Sequence, residues 1–366
     1  MKIRKPSVLA LTLLVAAPLC FGAAGDALKG LAPGPAKVES AGVMAFGPDG
    51  VLFVGDSQAG AIWALDTGDR QPGSAAVSLE SVDAKAAAAL GLTPDRILIN
   101  DMAINPISKK AYLSVSRGRG PDAAAVILSV DSSGKIAELS LANIPHAMAN
   151  LPNVVAADAK DRRGNSLRGE AITDLAYLDG KVFVAGLSNE EFASNLRTIK
   201  FPFENAGQGV SVEIYHGNHG QWETRSPVRT FIPYEIGEQP QLLAAYTCTP
   251  LVQFPVDQLE TGTKVVGKTI AELGNRNRPL DMISYSKAGK KYILMANSSR
   301  GVMKLDANSL EDQSPITAPV EDKQGVTYET IDALEGVMQL DQLDESRAVI
   351  LAQNGDRLDL RTIELP

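Results

Sequence analysis

The chain has 366 residues, 45% of them apolar, with 32 glycines, 21 prolines and a formal net charge of −8. Such a composition describes a globular fold rich in turns, and it denies nucleic acid or anionic lipid the cationic surface they require. Three histidines and two cysteines are the scarce reactive side chains, so their positions carry most of the chemical information.

The opening "MKIRKPSVLALTLLVAAPLCFGAAGDA" reads as a secretory signal peptide over residues 1–24. Lys2, Arg4 and Lys5 precede an apolar run from Val8 to Phe21, and small residues follow. The run is too short to be read first as a membrane span. Cleavage there would leave residues 25–366 as a single domain, periplasmic or secreted, with no membrane insertion. Loss of three cations and no acid would take the charge from −8 to −11, and Cys248 would be the one cysteine left. A lone thiol in an oxidising compartment forms no disulfide within its chain, so Cys248 is expected to be buried or used.

Past residue 40 one pattern recurs: an apolar strand, a turn, a second apolar strand, then a polar loop and a third strand. It reads "GVMAFGPDGVLFVGDSQAGAIWALD" from Gly42, "INDMAINPISKKAYLSVSRG" from Ile99 and "ITDLAYLDGKVFVAGL" from Ile172. It returns in diverged form from Val228, as "LDMISYSKAGKKYILMANSSRGVMKLD" from Leu280, and as "GVMQLDQLDESRAVILAQNGDRLDLRTIEL" from Gly336. Six copies of about 50–60 residues predict an all-β, six-bladed β-propeller. Seven blades is the alternative if two are merged around residues 205–270. The last copy supplies three strands, so the N-terminal "PAKVESAG" is expected to join the last blade and close the ring.

On this map Glu39, Asn100, Asp101, Glu170, Asp174 and Asp281 begin first strands, whose ends approach the channel axis. Oxygen ligands converging there suit a hard cation such as calcium. Asp and Asn at such positions also pair with backbone amides of turns. His146 falls in the connection from blade two to blade three, and His216, His219 and Glu223 fall between blades three and four. Cys248 follows the second strand of blade four. Those loop classes share one face of a propeller, so all are expected at the channel mouth.

Imidazole with thiolate selects a transition metal. The expected ligands are His146, His216, His219 and Cys248, with copper favoured over zinc and Met148 available as a weak axial donor. Glu223 would orient an imidazole or accept a proton, and Cys248 could act as a nucleophile. Arg276 and Arg278, with Arg162, Arg163 and Arg168, could hold a substrate anion. No Walker loop, Rossmann glycine pattern, haem-attachment motif or GxSxG elbow occurs. A metal-dependent oxidoreductase acting on a small molecule is therefore favoured over a hydrolase, with a non-enzymatic propeller that binds a protein partner as the alternative.

"NDMAINP" with "KKAYLSV", and "RPLDMISYSKAGKKYILMANSS", resemble the six-bladed senescence-marker/gluconolactonase propellers of the wider strictosidine-synthase-like group. The resemblance implies a central divalent cation held by a Glu, two Asn and an Asp, and lactone hydrolysis. Glu39 would match the glutamate, Asn100 the first asparagine and Asp281 the aspartate. The third blade reads "DLAYLDG", so the second asparagine has no match.

Overall fold

The computed structural model describes residues 27–74, 76–120, 122–248, 250–259 and 264–366, so the expected signal peptide lies outside the described residues. The apolar runs form strands buried on both faces, as in Val51–Asp56 and Ala61–Asp66, because each sheet is sandwiched between two others. Among the described residues six sheets stand in a ring, antiparallel except where Lys264–Val266 joins blade 3 in parallel with Val210–His216. The fold is a six-bladed β-propeller, not a seven-bladed one. A separate apolar cluster fills each of the six seams between blades. Phe53 anchors the seam between blades 1 and 3, and Phe183 and Phe254 anchor the next.

The ring order departs from the chain order. Blade 1 (Met44–Phe46, Val51–Asp56, Ala61–Asp66) is followed in sequence by blade 2 (Ile97–Ile104, Ala111–Arg117, Ala124–Val130, Ile136–Glu138). The chain then returns to blade 1 and adds Ile144–Asn150 as its fourth strand. Blade 3 (Asp174–Leu178, Lys181–Leu187, Ser194–Lys200, Val210–His216) packs on the free side of blade 1. Blade 4 (Thr230–Ile236, Gln239–Ala245, Pro250–Pro255, Lys268–Leu273) and blade 5 (Pro279–Lys287, Lys290–Asn297, Gly301–Asp306, Tyr328–Thr330) follow. Blade 6 (Val337–Gln342, Arg347–Asn354, Arg357–Glu364) then meets blade 2. Blade 2 thus sits between the first and last blades.

Closure also differs from the expectation. The N-terminal strand Ala32–Gly34 pairs with Ile144–His146 in blade 1, not with the last blade. Blade 6 is completed instead by the linker between blades 1 and 2. Leu79 and Leu360 exchange N–H···O bonds of 2.8 and 2.9 Å. Thr362 Oγ1 accepts from Val77 N–H at 3.0 Å and donates to Val77 C=O at 2.7 Å. Leu79→Pro removes one donor from this clasp and leaves the buried Leu360 carbonyl unpaired. It is expected to lower stability by about 1–3 kcal/mol in urea unfolding at unchanged slope.

Inside the ring, aspartates of the first strands strap neighbouring blades together. Asp101 Oδ2 accepts from Met44 N–H at 2.6 Å, joining blade 2 to blade 1. Asp174 Oδ2 accepts from Phe231 N–H at 2.7 Å, and Asp281 Oδ2 from Leu340 N–H at 2.8 Å. Asp341 Oδ2 accepts from Ile104 N–H at 2.7 Å. With its NH2 turned to satisfy both acceptors, Gln339 donates to Asp101 Oδ1 at 2.7 Å and Asp281 Oδ2 at 3.0 Å. Pairing shifts between Ile99 and Asp101 and between Pro279 and Asp281 mark an extra residue in each strand, which re-aims the aspartate across the seam. Enclosure in the channel, of about 430 Å³, drives all four carboxyls upward, Asp174 to about 7 and Asp341 to about 6.

Candidate metal centre

The "HGNHG" turn is built at the end of the fourth strand of blade 3. Tyr215 and Trp222 pair across it, with His216 opposite Gln221 and Ile214 opposite Glu223. Gly217–His219 forms one tight turn, and Gly220 closes it at φ +62. A side chain at position 217 would meet Val320 Cγ2 at 2.9 Å and Glu272 Cγ at 3.1 Å. The two glycines therefore serve the reversal and the close docking of this turn on blade 4.

The reversal folds the two imidazoles together, with ring centres 3.8 Å apart. One ligand atom from each of His216, His219 and Glu223 lies within 4.8 Å of the others. Glu223 sits between the rings: Oε1 is 2.6 Å from His219 Nδ1, and Oε2 is 3.2 Å from His216 Nδ1. Burial alone would raise the Glu223 carboxyl, but the two imidazoles and the Ser226 hydroxyl outweigh it and hold it at about 2. Glu223 is thus an anionic ligand candidate, a more direct role than the orienting one expected from sequence. His219 is 45% exposed on its side chain and opens the cluster to solvent.

His216 is the anomaly. It is 1% exposed, yet neither ring nitrogen makes an aligned hydrogen bond among the described residues. Near Glu223 lie two more enclosed hydroxyls, those of Ser194 and Tyr246, which face each other without an aligned hydrogen bond. Burial pushes the Tyr246 phenol upward, so it stays a donor.

The other expected ligands are not brought here. His146 lies in the fourth strand of blade 1, opposite Leu65, toward the other face of the ring. Its Nδ1 is 2.9 Å from Ile144 C=O and its ring packs on Trp63. The connection expected around it is instead the fourth strand of blade 1, held between Ala61–Asp66 and Ala32–Gly34. Cys248 is in the expected loop and half-buried, but its backbone is held by Asn277 and it is outside the cluster. The cluster itself sits on an outer strand, so it marks the rim of the face, not the channel mouth.

The central cation site implied by resemblance is not assembled either. The Asn100 amide donates to Ala41 C=O and Ser116 Oγ, Glu39 is exposed, and Asp281 is engaged as a strap. Arg276 and Arg278 are exposed on loops, as are Arg162 and Arg163. Arg168 donates to Val155 and Gln58 carbonyls. Sequence reasoning missed Glu272, whose carboxylate faces His216 from blade 4. Its signal was one acid in the apolar run "KTIAELG".

No family model and no curated protein matches the chain. Solved structures match at low identity. The plexin A4 extracellular region is 8% identical over 92% of this chain and 40% of that one, with a TM-score of 0.41. A Thermus thermophilus protein described as an oxidoreductase (glucose dehydrogenase) is 11% identical over 91% and 100%, with a TM-score of 0.34. A GH43 glycoside hydrolase is 14% identical over 70% and 48%, with a TM-score of 0.32. The chain thus spans less than half of the plexin and hydrolase structures it matches. These likenesses lend it no activity.

Proposed function

We propose that the chain is an exported, metal-dependent propeller that holds a divalent transition ion on His216, His219 and Glu223 and acts there on a small molecule. One observation carries the reading: a buried imidazole whose nitrogens face carboxylates with no aligned hydrogen bond among the described residues, beside a second imidazole and a carboxylate held ionised. Burying such a group without a partner costs about 1–3 kcal/mol, which a bound ion would offset. The donors suit copper, zinc or iron and not calcium.

Without the thiolate the site loses its softest donor, yet copper(II) still heads the divalent affinity order. Three protein ligands leave a position open, and the exposure of His219 gives a small molecule access to it. Copper there would supply redox chemistry, the reading we favour, whereas zinc would supply Lewis-acid hydrolysis. Metal content by mass spectrometry on untagged protein tests this. Near-stoichiometric copper or zinc is expected, retained in Cys248→Ser and absent from His219→Ala. Protein free of transition metal, or metal that leaves with Cys248 and not with His219, would sink the proposal.

A further inference from the structure

The fourth strand of blade 4 carries Glu272 near its end, fully enclosed. Its Oε1 accepts from Gly217 N–H at 2.5 Å, and its Oε2 accepts from the Asn218 amide at 2.7 Å. Oε2 also lies 4.0 Å from His216 Nε2. Across the ring, His216 Nδ1 lies 3.2 Å from Glu223 Oε2. The imidazole is therefore flanked by two carboxylates from different blades, one at each nitrogen.

A neutral imidazole has one N–H and one lone pair, and a metal takes the lone pair. Nδ1 of His216 faces the same Glu223 carboxylate that His219 Nδ1 faces, so Nδ1 is the atom turned toward a shared ion. The proton then belongs on Nε2, where the acceptor within reach is Glu272. We infer that Glu272 is a positioning residue: it accepts the His216 Nε2–H, fixes the tautomer that leaves Nδ1 free, and pins the ligand turn to blade 4. The inference rests on the metal reading above. Closing the gap needs a shift of about 1 Å. Partners of this kind typically change metal affinity by about 10–100-fold when removed.

The test is zinc affinity, by competition with a chromophoric chelator, for wild type and the Glu272→Ala, Glu272→Asp, Glu272→Gln and Asn218→Ala variants. Folding of each apo protein is checked by thermal unfolding. Alanine and the shorter aspartate are expected to weaken zinc by about 10–100-fold. Glutamine has a single amide oxygen to share between Gly217 N–H and His216 Nε2–H, so it is expected to fall between wild type and alanine. Asn218→Ala, which leaves the Glu272 carboxylate and its Gly217 bond in place, is expected to stay near wild type. Should the alanine variant not fold, the aspartate variant carries the same expectation. NMR of the imidazole nitrogens in zinc-loaded wild type is expected to show His216 as the Nε2–H tautomer. Wild-type affinity in both Glu272→Ala and Glu272→Asp would overturn the inference while leaving the site intact. So would a cobalt-substituted Glu272→Ala spectrum showing a lost ligand. A wild type that binds neither zinc nor copper would overturn the metal reading itself.

Discussion

His216→Leu is expected to weaken transition-metal binding by at least about 100-fold while costing the apo protein less than about 1 kcal/mol. The two effects separate because the imidazole is placed at a cost. Both nitrogens are enclosed without aligned partners, and an apolar side chain of similar size removes that penalty. Glu223 keeps its contacts with His219 and Ser226, and Glu272 keeps the turn amides, so neither carboxylate is stranded. A core histidine with an ordinary structural role would behave in the opposite way, losing stability and changing no metal affinity. Isothermal titration with copper and zinc, beside urea unfolding of both apo proteins, distinguishes the two. Equal metal affinity in the variant would remove His216 from the site.

The second large effect concerns the channel. Asp281→Ala leaves Met282 N–H, Leu340 N–H and one donor of Gln339 without their acceptor, and is expected to cost about 2–3 kcal/mol in urea unfolding. A loss below about 0.5 kcal/mol would show that channel water replaces the strap at no cost. The straps also set a pH dependence. Their carboxyls titrate above the ordinary value of 3.8, mainly through burial, with Asp101 adding repulsion at Asp281. The native state therefore holds protons that the unfolded chain has released. That contribution is complete below about pH 4 and is lost as pH rises through about 6 and 7, where Asp341 and Asp174 titrate. Lowering the pH from about 8 to about 5 should thus stabilise the fold by on the order of 4 kcal/mol. Glu223 and Asp344, held at about 2, oppose this only below about pH 4. A fall in melting temperature between about pH 8 and about pH 5 would contradict the assignment.

Much of this was legible in the chain, for identifiable reasons. Propeller strands are buried on both faces, so their apolar runs and turn residues announce six repeats. The spacing of His216, His219 and Glu223, with glycines at 217 and 220, marks a turn able to gather three donors. The aspartates of the blade starts do pair with backbone amides, but across seams, which no local pattern reveals. Strand assignment to a blade was not legible, because the outer strands are joined by backbone hydrogen bonds that any sequence can make. "IPHAMAN" returns to blade 1 and residues 77–81 close blade 6 on that basis. His146 was misplaced by the same ambiguity. Glu272 was invisible for a different reason: its partner lies 55 residues earlier in the chain, and only ring packing brings the two together.

The most direct measurement is anomalous diffraction from crystals of the wild-type protein soaked with one equivalent of zinc or copper. The expected result is a single strong peak at about 2.0–2.2 Å from His216 Nδ1, a His219 nitrogen and a Glu223 oxygen, with Cys248 and His146 free of metal. A peak on surface carboxylates or on Cys248, with the His216 turn left bare at saturation, would contradict the metal centre and leave the turn a structural one.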